Sequence, residues 1–232
     1  MCGRYSFLIP MEGAEQQLQV KAPEWIQWEP RYNAAPSQAM PVITNEFPGI
    51  IQLLRWGLVP KWAKDISIGN KMINTRSESI AEKPAFKNIF KYKRCLVLAD
   101  GYYEWQTPKD ADKMPKSKIV KQPFRFHLPG DEIMLMAGLW DSWGLEGLQT
   151  FSIITCAANA DITPYHNRMP VMLSHSEAVK WMDNKTPLDD LMALMKPAPE
   201  GLLERYPIST YLNKPGNEGP EVIEKITLPL NN

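Results

Sequence analysis

Apolar residues along this chain fall into short runs bounded by Pro, Gly and polar turn residues, and most runs carry the strand signature. Residues 40–44 (MPVIT) and 50–58 (IIQLLRWGL) read as strands, the second apolar enough to be largely buried. Residues 94–106 (RCLVLADGYYEWQ) predict a strand, a glycine turn and a second strand. Three more strands are expected in PFRFHL (123–128), EIMLMAGLWDSW (132–143) and LQTFSIITCAA (148–158), with turn signals between them. Helical spacing is rarer. Residues 12–20 fit a short helix, and SESIAEKPAFKNIFKY (77–92) fits two short helices broken at Pro84. SHSEAVKWM (174–182) opens with Ser174 and Glu177 at capping-box spacing, and TPLDDLMALM (186–195) offers Thr186 as N-cap with Pro187 at the first helical position. Residues 22–38 read as a proline-punctuated loop, 109–122 as a polar mobile loop, and the tail as short β-like pieces such as EVIEKITL (221–228). Strands outnumber helices and follow one another without regular crossovers. The expected fold is therefore α+β, with mainly antiparallel sheets and several short helices, and not a parallel α/β sheet. No repeat or linker divides the 232 residues, so one domain over 1–232 is expected.

Composition changes this picture in two respects. Eight Trp and 21 Pro indicate a loop-rich, aromatic-rich fold rather than a helical bundle. No window approaches the ~20 apolar residues of a membrane span, and the N-terminus lacks the basic and apolar regions of a signal peptide, which together predict a cytoplasmic protein. Net charge is zero, which speaks weakly against a nucleic-acid partner. The distribution speaks for one. Residues 51–95 hold ten Lys and Arg against Asp65, Glu78 and Glu82, a local excess of +7 balanced by −7 elsewhere. A phosphate-binding footprint and a solvated helix face both fit that segment.

Walker-A, G-x-G-x-x-G and H-E-x-x-H motifs are absent, so the sequence offers no cofactor site. Cys2, Cys95 and Cys156 are odd in number, far apart and outside C-x-x-C spacing, which argues against disulfides and a structural zinc site. Cys95 and Cys156 lie in apolar β-like runs and read as small buried hydrophobes. Cys2 differs, because methionine aminopeptidases remove Met1 before so small a side chain. The mature chain then begins with an amine and a thiol on one residue, a 1,2-aminothiol that reacts with aldehydes as no internal cysteine can. A small residue near a loose terminus is the plainer account. His127 alternates with aromatics in a strand pattern, and His175 sits in a helix cap. His166, in TPYHNRMP beside Arg168, occupies a turn-rich loop after an apolar strand, where catalytic groups tend to sit. Glu104 is flanked by Tyr102, Tyr103 and Trp105, surroundings that raise a carboxyl pKa, although an outward-facing strand position fits as well. Asn74 and Arg76 lie at a strand-to-helix transition, where an amide orients a substrate and a guanidinium holds a phosphate.

Taken together, MCGRYSF, PRYNAAPSQ, LRWGLVPKW, INTRSES, ADGYYEWQ, ITCAAN and YHNRMPVML occur in the order seen in the SRAP family (SOS response-associated peptidase). The chain resembles that family from Cys2 to at least Leu173. The family includes proteins that shield abasic sites in DNA, and the resemblance implies the SRAP fold and the following chemistry. The amine of Cys2 attacks the open-chain aldehyde of an abasic site, and its thiol closes a thiazolidine, a covalent DNA–protein crosslink that needs no cofactor or metal. An α-amine of pKa about 7.7–8.0 is already nucleophilic at neutral pH. The resemblance makes Glu104 a proton-shuttling carboxylate, His166 an aid to sugar ring opening and Schiff-base formation, and Asn74 the amide that positions sugar and terminus. Arg4, Arg76 and Arg168 would grip phosphates, with Trp62 and Lys83 along the DNA path. The implied partner is single-stranded or junction DNA carrying an abasic site. A monomer is expected by default, associated with the nucleoid when bound to damaged DNA. Ala63 stands where some members have a second aromatic after the tryptophan, and Lys83 where some have arginine, which weakens stacking on a duplex end and turns a fork into a point charge. Two alternatives remain open: an autoprocessing thiol peptidase of the N-terminal-nucleophile type, and a non-covalent single-stranded DNA-binding module.

Overall fold

The structure, a computed structural model, describes residues 2–108, 111–115, 117 and 119–228. In chain order its strands are β1 (Tyr5–Phe7), β2 (Arg31–Ala34), β3 (Ala39–Thr44), β4 (Ile51–Trp56), β5 (Asn74–Arg76), β6 (Arg94–Ala99) and β7 (Gly101–Gln106). They continue as β8 (Gln122–His127), β9 (Met134–Trp143), β10 (Leu148–Ala157), β11 (Arg168–Pro170), β12 (Met172–Leu173) and β13 (Glu204–Pro207). The α-helices are α1 (Met11–Leu18), α2 (Pro84–Tyr92), α3 (His175–Met182) and α4 (Leu188–Leu194).

Five strands form a closed ring. β4, β3, β6 and β9 pair antiparallel in that order, and β10 joins the two ends, antiparallel to β9 and parallel to β4. Closure removes exposed sheet edges. Strand β6 shows why the ring's strands read as unbroken apolar runs: all six residues are buried, because the barrel interior covers one face and helices α2 and α3 the other. β5 and β11 lengthen the ring along β10, and β12 pairs with β9. The second sheet is antiparallel throughout, in the order β13-β8-β7-β1-β2. The fold is thus α+β, as expected.

The two sheets meet at Asp100. β6 and β7 adjoin in sequence yet belong to different sheets, β6 to the ring and β7 to the open sheet. Between them Asp100 accepts a hydrogen bond from Ser6 Oγ at 2.6 Å and another from the Leu8 N–H, and it meets Arg125 Nη2 at 3.3 Å. Both charged side chains are only 2% exposed. Gly101 is required by close approach, since a Cβ there would lie 2.6 Å from Arg125 Nε.

Several expectations shift in detail. The loop reading of 22–38 missed β2, whose polar sequence is organised from outside. Glu218 accepts from the Tyr32 and Asn33 N–H groups, and the buried Asn33 amide donates to three carbonyls between Leu212 and Asn217. Pro84 starts α2 rather than breaking a helix pair, and residues 77–79 form only a 3₁₀ turn. Pro187 takes the N-cap place of α4, while the Thr186 hydroxyl donates to the Lys180 carbonyl. EVIEKITL contributes a 3₁₀ turn at Pro220–Val222 and one bridge, Ile208 to Lys225. The Ser174–Glu177 capping box is present in both halves. Residues 109, 110, 116 and 118 of the polar loop lie outside the described residues. No helix is long and apolar enough to cross a membrane among the described residues.

Candidate active site around Cys2

Strand register brings the first candidates together. β1 runs antiparallel to β7 with Tyr5 opposite Tyr102 and Ser6 opposite Gly101, and the Tyr103 N–H donates to the Arg4 carbonyl at 3.1 Å. Counting back along this register puts Arg4 opposite Tyr103 and Gly3 opposite Glu104, and the Glu104 charge acts on the thiol of the adjacent Cys2. Cys2 is fully buried. Burial pushes its thiol far above the usual range, and the neighbouring Glu104 charge adds to the rise. Glu104 is 3% exposed, and burial raises its carboxyl from 4.5 to about 7 against the opposing Lys121 ammonium. The outward-facing alternative for Glu104 therefore fails. The aromatic neighbours also differ from those expected. Along β7 Tyr102 and Glu104 share one face, whereas Tyr103 joins a separate apolar cluster with Ile208, Leu212 and Val222, and Trp105 donates to Asn213.

Asn74 reaches the same place from the ring. β5 lies parallel to β10 with Asn74 opposite Ile153, and Asn74 Nδ2 donates to the Cys2 carbonyl at 2.8 Å. Its Oδ1 is buried without a hydrogen-bond partner among the described residues, and so are the hydroxyls of Tyr5 and Tyr102. Burial chiefly, and then the nearby Cys2, hold both phenols well above their ordinary pKa. A buried polar atom left unpaired costs about 1–3 kcal/mol. Three of them around one residue mark a place built for something other than stability.

His166 arrives on the loop before β11. Tyr165 packs edge-on against Phe124 and Phe126 of β8, with ring centroids 4.7 and 5.0 Å away, and Phe124 is the cross-strand neighbour of Glu104. The Lys121 ammonium acts on both Glu104 and His166, so the two side chains share one locale. The Arg168 N–H donates to His166 Nδ1 at 2.9 Å, which leaves the proton of the neutral ring on Nε2. Burial, followed by nearby positive charges, lowers the His166 pKa and favours that neutral form.

The expected phosphate contacts differ in exposure and in the partners they already hold. Arg76 and Lys83 are exposed, and Trp62 is 64% exposed in a loop reached from the other end of β10. Arg4 is committed to Asn33 Oδ1 at 2.7 Å and the Leu212 carbonyl at 3.3 Å. Arg168 forks onto Glu78 at 2.5 and 2.9 Å and donates to the Thr155 carbonyl. Because Glu78 is 55% exposed, Glu78→Gln is expected to lower stability at pH 7 by less than about 1 kcal/mol. Arg168 holds the Glu78 carboxyl below its ordinary value, so the pair stabilises above the carboxylate range, and that gain is lost as pH falls through it. Thermal melts of both proteins at pH 7 and near pH 3 check this, the difference vanishing at the lower pH.

Sequence reasoning did not assign Tyr5, Glu78 or Lys121 to the site, and took Tyr102 only as a neighbour of Glu104. The i, i+2 spacing of Tyr102 and Glu104 within one strand was the available signal for Tyr102. Nothing local marked the others.

Relatives are consistent over the whole length. The chain is 39% identical over 231 residues to the abasic site processing protein YoqW of Bacillus subtilis (strain 168), covering 97% of this chain and 99% of that one. It is 33% identical over 250 residues to the abasic site processing protein HMCES of Gallus gallus, covering 94% of this chain and 72% of that one. An X-ray structure of a protein from Bacteroides thetaiotaomicron superposes with a TM-score of 0.85 at 25% identity, covering 97% and 100% of the two chains. The family model described as SOS response associated peptidase (SRAP) matches residues 1–215, and the chain belongs to that family.

Proposed function

We propose that this protein processes abasic sites in single-stranded DNA by crosslinking to them through Cys2 once Met1 has been removed. Relatives that match nearly the whole chain are named for abasic-site processing. The observation that carries the reading is the Asn74 amide: Nδ2 fixes the Cys2 carbonyl while Oδ1 stays buried and unpaired, ready for a sugar hydroxyl.

The steps follow from the groups at hand. The Cys2 amine adds to the C1 aldehyde of the ring-opened sugar to give a carbinolamine. Glu104, poised near pKa 7, gives a proton to the departing hydroxyl and takes one back from the nitrogen, so that loss of water leaves the neutral Schiff base. The thiol sulfur then bonds to C1 while its proton passes to the imine nitrogen, closing the thiazolidine. Thiolate is the reactive form of cysteine, so a thiol kept protonated by burial leaves the first attack to the amine. Neutral His166 serves ring opening through Nε2.

The test mixes the Met1-free protein with a fluorescent oligonucleotide bearing one abasic site, and runs denaturing gels beside Cys2→Ala. A heat-stable shifted band that needs Cys2 and the free aldehyde is expected. No band from protein shown by intact mass to begin at Cys2 overturns the reading, and repeated peptide turnover by that protein favours the peptidase instead.

A further inference from the structure

Of the ten cations in residues 51–95, three are already committed. Arg94 is buried and donates to the Phe90, Lys91, Trp181 and Asp183 carbonyls, Lys93 meets Asp141 at 2.7 Å, and Arg55 donates to the Ser37 carbonyl. The other seven are exposed, and no described acidic residue pairs with them. Lys83, Lys87 and Lys91 recur every fourth residue along α2, on the solvent side of the stripe that buries Phe86 and Phe90. Successive lysines therefore stand about 6 Å apart along the axis, comparable with the phosphate spacing of an extended single strand. No acidic residue occurs between Lys83 and Lys93. Like charges four apart destabilise a helix by a few tenths of a kcal/mol per pair, so this face costs the fold something it does not recover internally.

The stripe begins near the site and runs away from it. The Lys83 N–H donates to the Ser79 carbonyl at 3.1 Å, three residues past the exposed Arg76 and five past Asn74. Tyr92, 71% exposed, offers a ring at the far end.

We infer that the Lys83, Lys87 and Lys91 face of α2 binds backbone phosphates of the DNA strand flanking the lesion, with Tyr92 stacking on a base beyond them. This rests on the abasic-DNA reading of the Cys2 site. The occupant is identified by charge: a polyanion of regular spacing matches a row of cations of regular spacing.

The test measures salt dependence of affinity by fluorescence anisotropy, using intact single strands of about 5 and about 20 nucleotides. No crosslink is needed for the readout. For Lys87→Gln/Lys91→Gln on the longer strand, the slope of log affinity against log salt is expected to fall by about 1.4, or about tenfold in affinity near physiological salt. On the short strand, which covers fewer phosphates, the slope falls less, and Lys87→Arg/Lys91→Arg keeps the wild-type slope on both. Equal slopes for wild type and the glutamine variant on the longer strand overturn the inference. An equal fall on both lengths also overturns it, since a strand that runs from the site along α2 reaches Lys87 and Lys91 more fully as it lengthens. If the wild type binds neither strand, the DNA reading of the site fails along with its helix.

Discussion

Glu104→Gln is expected to slow crosslink formation by about 10²–10³-fold, because proton transfer by a placed side chain typically contributes about 10²–10⁴-fold and glutamine cannot supply it. A carboxyl at about 7 is close to half protonated at neutral pH, so it can both give and take a proton within one reaction. The wild-type rate should bend near pH 7, and that bend should vanish in the variant. Stability provides a second readout. The folded pKa is raised from 4.5 to about 7, so the protonated carboxyl is fully accommodated below about 4.5, and stability is lost as pH rises through 7. The loss approaches about 3 kcal/mol at 1.36 kcal/mol per unit, and glutamine carries no such penalty. Melts at pH 5 and pH 8 should therefore show wild type losing ground to Glu104→Gln at the higher pH. Parallel pH dependence of the two proteins would mean that Glu104 is ionised throughout and is no acid in this reaction.

That prediction depends on a face of β7 that the sequence names only in part. The run DGYYEWQ makes Glu104 look sheltered by Tyr103 and Trp105, yet strand alternation sends both to the opposite side, and the shelter comes from β1 and Tyr102. Apolar runs located seven of the strands, β3, β4 and β6 to β10, because burial on a sheet leaves a composition signal in a single segment. Pairing partners left none. RCLVLADGYYEWQ reads as two strands around a glycine, but only the Ser6, Leu8 and Arg125 contacts to Asp100 decide that they part into different sheets. β2 was invisible for the same reason, since its four residues are held by Glu218 and by carbonyls of the 212–217 segment, some 180 positions away. The reacting groups fared likewise. Cys2, Asn74, Glu104 and His166 are each unremarkable in isolation and were legible only as an ordered set of motifs resembling a family. Arg168 was legible as a cation but not as a partner of Glu78, because an ion pair across 90 residues leaves no local trace.

Asp100→Ala is expected to destabilise the protein by about 3–5 kcal/mol, the usual cost of removing one member of a buried ion pair. Arg125 loses its carboxylate, the Leu8 N–H loses its acceptor and the Ser6 hydroxyl keeps only the Gly101 carbonyl, all at the junction where the chain passes from the ring into β7. Denaturant unfolding at pH 7 checks the magnitude, and Asp100→Asn, which keeps an acceptor but removes the charge, should lie between wild type and alanine. A loss below about 1 kcal/mol would show that the apolar core alone joins the sheets. The consequence for chemistry is separate from unfolding. Ser6 and Leu8 tie β1 to Asp100, and β1 leads directly back to Cys2, so slackening this anchor loosens one reacting group relative to the other. At a temperature where Asp100→Ala remains folded, its crosslinking rate should still fall, because misplacement of about 1 Å at a reacting centre is enough to cost about 10²-fold. An unchanged rate there would mean that the Asn74 contact to the Cys2 carbonyl positions the terminus without help from β1.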